Sequence, residues 1–231
     1  MSDKASVRPT TFGKLAVTKQ NAIGRLHVIT DEVLQDRFSH VELAAAAAAG
    51  GADVVQYREK RQVSTKEMMR VAVLMSLACR EFGTTLLIDD RADVAAAVGA
   101  TAIHLGKEDL PPYVARQILG AEAIIGGTAN SVEEAVKVAK QPVDYLGVGP
   151  VFGTTSKGNR AAPMLGLERF AEICAAVDKP VIGIGSITAN RVGDVLAAGA
   201  HGVAVLSAIV CQDDPQASCQ EFADEIARVL S

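Results

Sequence analysis

Three features of this 231-residue chain predict a (β/α)8 TIM barrel, a single domain behind a short N-terminal extension. Eight short runs rich in β-branched residues alternate with eight amphipathic, Ala-rich stretches over about 205 residues. Gly-Ala followed by a strand-like run recurs at Gly51-Ala52, Gly99-Ala100 and Gly199-Ala200. These separations of 48 and 100 residues are close to two and four β-α units of about 25 residues each. No Gly-rich loop follows the first strand run at Thr30, as an open doubly wound sheet would require.

Residues 1–24 hold scattered charges without a period and read as the extension, with the barrel domain at 25–231. Leu26–Thr30 is the first strand, and Ser39, an N-cap type, opens a helix to Ala49. Val54–Tyr57 and Thr85–Ile88 are strands two and three, with a helix over Ser64–Phe82 between them. Arg91–Val98 is the third helix, Ala102–Leu105 the fourth strand, and Pro111–Leu119 the fourth helix, with proline at its start. Ala123–Gly126 is strand five. Ser131 with Glu134 three residues on predicts a capping box for the helix to Lys140. Tyr145–Val148, Val181–Ile184 and Val203–Leu206 complete the strands. Leu167–Val177, Thr188–Ala198 and Pro215–Leu230 complete the helices. The repeated Gly after a helix fits a left-handed C-terminal cap.

Composition narrows the function. The net charge is −4, aromatics are 4% and there is no Trp, which argues against a nucleic-acid binder with a basic face or a stacking platform. The four cysteines lack metal-type spacing and read as small buried hydrophobes in a reducing compartment. The stretch from Met1 to Lys14 has no apolar signal core, and Leu43 to Gly50 is too short to span a bilayer. The expectation is a cytoplasmic protein that binds neither nucleic acid nor membrane. Oligomeric state stays open, a homo-oligomer included.

In such a barrel the chemistry sits just beyond the strand C-termini. Strand two runs into Gln56-Tyr57-Arg58-Glu59-Lys60. Its two cations suit an anion, phosphate foremost, although a solvated charged loop fits equally. Strand three ends in Asp89-Asp90-Arg91, and strand four runs through His104 to Asp109. Asp90 and Asp109 are suitable ligands for one hard cation such as Mg2+; the competing reading is that Asp89 or Asp90 caps the third helix. His104 reads as a packed or hydrogen-bonded histidine. After strand six a long segment, Gly149 to Gly166, carries glycines, hydroxyls and Lys157. Its amides could wrap a phosphate, or it could be a mobile surface loop. Gly185 and Ser207, after strands seven and eight, mark a second phosphate pocket near a helix N-terminus. No nucleophilic triad is visible, so departure of a polyphosphate leaving group is the chemistry that fits.

The motifs Gln56 to Lys60, Ile88-Asp89-Asp90-Arg91, His104 to Pro111, Gly149 to Lys157, Ile184 to Ile187 and Leu206 to Ile209 stand in this order. Together they resemble the thiamine phosphate synthase family over roughly residues 25–210. The resemblance implies that Arg58, Lys60 and Lys157 act on the diphosphate of hydroxymethylpyrimidine diphosphate, with Thr128. It places the whole run Gln56, Tyr57, Arg58, Glu59 and Lys60 in the substrate site. Asp90 and Asp109 would bind Mg2+, and Asp89 would contact the pyrimidine or its diphosphate. Thr154, Thr155, Ser156, Gly185, Ser186, Leu206 and Ser207 would hold a thiazole phosphate. The implied reaction joins pyrimidine to thiazole, with a dissociative, carbocation-like path, and yields thiamine phosphate and pyrophosphate.

Four positions depart from the family pattern: Asp89 stands for Asn, Thr128 for Ser, Ser156 for Thr and Ser186 for Gly. A thiazole tautomerase on the same barrel is one alternative, but its histidine after strand five is absent from Thr128-Ala129-Asn130. A non-catalytic phosphometabolite-binding barrel is the other, motivated by Asp89 and Ser186.

Overall fold

The structure is a computed structural model that describes residues 23–154 and 163–231. Its eight strands are β1 (Leu26–Thr30), β2 (Val54–Tyr57), β3 (Thr85–Asp89), β4 (Ala102–Leu105), β5 (Ile124–Ala129), β6 (Tyr145–Val148), β7 (Val181–Ile184) and β8 (Gly202–Val205). Each pairs in parallel with the next, and β1 pairs with β8, which closes the barrel. The helices are α1 (His40–Ala49), α2 (Thr65–Glu81), α3 (Ala92–Val98), α4 (Pro112–Leu119), α5 (Val132–Ala139), α6 (Gly166–Ala175), α7 (Val192–Ala197), α8 (Ser207–Val210) and α9 (Pro215–Leu230). The predicted order is recovered. The four-residue α8 was not expected, and a 3-10 turn, Ala189–Arg191, replaces the first residues of the helix predicted from Thr188.

Local signals explain the element ends. Ser39 caps α1 with a complete capping box to Glu42. At α5, Ser131 accepts from the Glu134 amide, but Glu134 returns its carboxylate to the Asn130 amide at 2.7 Å, one residue earlier than predicted. Gly99 caps α3 at φ +67, a conformation that costs glycine nothing because it has no Cβ. Neither Asp89 nor Asp90 caps α3, whose N-cap is Arg91 without a side-chain bond.

Strand side chains alternate between the lumen and the helix layer. Ile29, Val54, Leu87, Ala102, Ile124, Tyr145, Ile182 and Ala204 form the inner core, joined by Ile23 from the segment assigned to the extension. The next residues along, such as Val28, Val55, Ile88, Ile103, Leu146 and Val203, face the helices in the larger outer core. That layer includes Phe170 of α6, which packs over Gly183. Of the cysteines, Cys79 and Cys219 are buried in this layer, while Cys174 and Cys211 are half-buried, all unpaired. No helix among the described residues is long and apolar enough to cross a membrane.

Tyr145 is the largest residue of the lumen and is fully buried. It fits only because β5 has glycine beside it: a Cβ on Gly126 would stand 2.2 Å from the Tyr145 ring. Gly147 similarly admits the His104 imidazole, whose Cε1 lies 2.8 Å from where a Cβ would be. Gly126→Ala is therefore expected to destabilise the protein by about 2 kcal/mol, seen as a lower urea midpoint at constant slope. An unchanged midpoint would mean that the ring can move aside.

Candidate active site

The strand C-termini enclose a cavity of about 640 Å3, with two chemically different walls. One wall is built by β2, β3 and β4 and the loops after them. Arg58, Lys60, Asp89, Gly106 and Asp109 face the cavity there. Arg58 Nη1 donates to Asp31 Oδ2, and Asp31 is fixed by the amides of Val33 and Leu34 at 2.7 and 2.9 Å. Lys60 Nζ lies 2.6 Å from Asp90 Oδ2 and 3.0 Å from Asp89 Oδ2. Gln56 Nε2 donates to Asp89 Oδ1 at 2.9 Å. Asp109 Oδ2 accepts from the Gly106 amide at 2.6 Å, a contact that a Cβ on Gly106 would crowd.

Positive charge is scarce on this wall. Burial works against the Lys60 ammonium, yet Asp89 and Asp90 outweigh it and raise its pKa. Burial also raises the Asp90 carboxyl above its ordinary value; the Lys60 hydrogen bond opposes this, while Asp89 and Asp109 add to it. Asp90 sits at φ +57, a left-handed conformation that a short polar side chain tolerates. Two carboxylates, Asp89 and Asp90, flank the Lys60 ammonium, and carboxylate oxygens are the kind of donor that a hard cation takes. Among the described residues no three His, Cys, Asp or Glu side chains come together in a group that could hold a metal ion. A cation here would take its remaining oxygens from water and a phosphate ligand, as Mg2+ commonly does.

The other wall comes from β7 and β8: Gly185, Ser186, Leu206 and Ser207, with Thr154 from the β6 loop. It offers backbone amides and hydroxyls. The β6 loop packs against the end of β7, with Val151 N to Ile184 O at 2.8 Å and Phe152 N to Gly185 O at 3.1 Å. Gly185 is required, since φ is +110 and a Cβ would lie 2.6 Å from Pro150 Cα. Ser186 has φ +48, so its side chain costs about 1 kcal/mol relative to glycine in that conformation.

The floor was not foreseen as a unit. His104 Nε2 is 2.9 Å from Thr128 Oγ1, and Nδ1 is 3.1 Å from the Tyr145 hydroxyl. His27 meets Tyr145 edge-on at 5.6 Å and bonds the Ile23 carbonyl through Nε2 at 2.6 Å. The sequence signal for the floor was its period: His27, His104, Thr128 and Tyr145 all occupy lumen positions. Asn130 Nδ2 donates to the Gly149 carbonyl and ties the β5 loop to that of β6.

Among the described residues, three predicted site residues do not line the cavity: Asp90 meets it only through Lys60, and Tyr57 and Glu59 stand elsewhere. Tyr57 is buried in the helix layer, edge-on to His40 at 4.8 Å, because it alternates with lumen-facing Gln56. Glu59 alternates with Arg58 and Lys60 for the same reason, and pairs with Arg61 at 2.6 Å behind the rim. Thr155, Ser156 and Lys157 lie outside the described residues, as does most of the predicted extension.

The fold and the cavity define a (β/α)8-barrel protein with an enzyme-type site at the strand C-termini. The family model described as thiamine monophosphate synthase matches residues 26–209, and the chain belongs to that family. A thiamine-phosphate synthase of Salinibacter ruber is 46% identical over 91% of this chain and 92% of its own length. One from Methanoculleus marisnigri is 44% identical over 87% and 95%. Among solved structures, a thiamine phosphate pyrophosphorylase from Pyrococcus furiosus superposes with a TM-score of 0.83 at 36% identity, covering 93% of this chain and all of that one.

Burial lowers the His27 pKa from 6.5 to about 4, and the neighbouring His104 contributes to the shift. The unfolded chain takes up this proton near pH 6.5, and the folded protein only near 4. Stability from this group is therefore complete above pH 6.5 and falls by roughly 3 kcal/mol as the pH drops through 4. Urea midpoints measured across that window should fall less steeply in His27→Gln than in the parent; parallel curves would refute the assignment.

Proposed function

We propose that the protein is a thiamine-phosphate synthase. It joins 4-amino-5-hydroxymethyl-2-methylpyrimidine diphosphate to 4-methyl-5-(2-phosphoethyl)thiazole and releases pyrophosphate. The observation that carries this reading is one cavity with a cation and carboxylate wall facing a wall of amides and hydroxyls. Such a pair suits a diphosphate on one side and a phosphate monoester on the other. The family membership and the synthase names of the relatives support it over a tautomerase or a binding-only barrel.

Arg58 and Lys60 would hold the diphosphate and stabilise the charge that grows on it as it leaves, with Lys157 joining from the β6 loop. Asp90 and Asp109 would hold Mg2+, which when bound would add to the neutralisation of the leaving group. The pyrimidinylmethyl carbon loses its C–O bond and gains a C–N bond to the thiazole nitrogen, and the electron pair departs with pyrophosphate. Gly185, Ser186 and Ser207 would anchor the thiazole phosphate so that its nitrogen is presented to that carbon. Catalysis then rests on leaving-group stabilisation and positioning, without a covalent enzyme intermediate.

Purified protein with both substrates and Mg2+ should form thiamine phosphate and pyrophosphate together. Excess chelator should abolish turnover; sustained turnover in chelator would remove the metal from the reading. Asp109→Ala should lower kcat by about a hundredfold or more with the circular dichroism spectrum unchanged, and an unaltered rate would remove Asp109 from the site. Asp89→Asn, which restores the family residue, should keep or raise activity. Complete loss would give the Asp89 carboxylate a role of its own.

A further inference from the structure

Behind the rim, on the helix side of β2, lies a charged cluster that faces away from the cavity. The Glu59 side chain is only 2% exposed. It accepts from the Arg61 amide at 2.8 Å and from Arg61 Nε at 3.0 Å, and pairs with Arg61 Nη2 at 2.6 Å. Arg61 Nη1 reaches on to Glu32 in the loop after β1. Glu32 Oε1 in turn accepts from the amide of His40, the first residue of α1, at 2.7 Å. The buried His40 ring bonds Thr30 Oγ1 at 2.7 Å and brings Nε2 within 3.4 Å of Glu59. Burial holds His40 below its ordinary pKa, with Glu32 and Glu59 opposing, and the Arg61 bonds keep Glu59 ionised despite its burial.

The run from 58 to 61 thus alternates. Arg58 and Lys60 point into the cavity, while Glu59 and Arg61 point back into this cluster. The loops after β1 and β2 are fastened twice, by Arg58 to Asp31 on the cavity side and by Arg61 to Glu32 behind it. A buried charge with several fixed partners sets a backbone more tightly than an exposed pair does. We infer that Glu59 and Arg61 are positioning residues, which hold the β2 loop so that Arg58 and Lys60 converge on a diphosphate while neither touches it. The kinetic part of this inference rests on the synthase reading; the part concerning anion binding does not.

The test uses the full chain carrying Glu59→Gln, Arg61→Gln or both. Affinity for inorganic pyrophosphate with Mg2+ is measured by titration calorimetry, and KM for each substrate by steady-state kinetics. Each single variant should weaken pyrophosphate about tenfold and raise the KM of the pyrimidine diphosphate to match, since small displacements of charged groups are costly. The KM of the thiazole phosphate, bound on the opposite wall, should stay within about twofold. The double variant should be no weaker than the worse single one, because both act through one cluster. Should Glu59→Gln fail to fold, Arg61→Gln, with its side chain 39% exposed, carries the test alone. Unchanged pyrophosphate affinity in folded Arg61→Gln would overturn the inference, as would both KM values rising together. If the parent chain binds pyrophosphate but makes no thiamine phosphate, only the synthase reading falls, and the calorimetric arm still decides this one.

Discussion

Everything in this molecule depends on the period of two in eight parallel strands that close on themselves. Closure removes every strand edge, so each strand has only a lumen face and a helix face. The lumen face is then divided along its length. Its lower positions, Ile29, Val54, Leu87, Ile124 and Ile182, are apolar and fill the barrel. Its last positions, Gln56, Asp89, His104 and Thr128, are polar and open into the cavity. The same alternation continues past β2, where it separates the cavity-facing cations from the Glu59 and Arg61 pair behind the rim.

Glycine makes the arrangement physically possible. Tyr145 and His104 occupy space that a side chain on Gly126 or Gly147 would take. The tyrosine and the two histidines form a floor of touching rings beneath the site, with His104 hydrogen-bonded to the Tyr145 hydroxyl and His27 edge-on to its ring. Above it, Gly149 lets the β6 loop lie against the Ile184 carbonyl, and Gly185 lets β7 turn beside Pro150. Part of the abundance of glycine in the composition is thus a matter of close approach within the barrel and at its rim, and part serves positive-φ turns such as Gly83, Gly99 and Gly120.

The acidic overall charge has a local counterpart. Rather than a broad basic surface, the cavity has among the described residues two Lys or Arg side chains, Arg58 and Lys60, each matched to carboxylates: Asp31 for the first, Asp89 and Asp90 for the second. Such pairing orders the cations before an anion arrives, which lowers the cost of organising them on binding. It also leaves carboxylate charge in excess, which burial makes unfavourable at Asp90. In the proposed function, a divalent cation arriving with the diphosphate would relieve that excess.

The sequence by itself determined the barrel, because alternating strand and helix patterns, caps and Gly-Ala repeats are local and survive without knowledge of the fold. It also determined which strand ends carry charge, and the motif order that marks the family. Tertiary structure alone decided the side on which each residue acts. Tyr57 and Glu59 lie inside a charged motif, and only the strand register shows that they turn toward the helices. The capping alternative for Asp89 and Asp90 needed the geometry of α3 to be set aside. The His104, Thr128 and Tyr145 floor joins three strands, and hydrogen bonds between residues 24 and 41 positions apart leave no spacing to read in one chain. Periodicity is written in neighbours along the sequence, whereas a site is made by neighbours across a closed sheet.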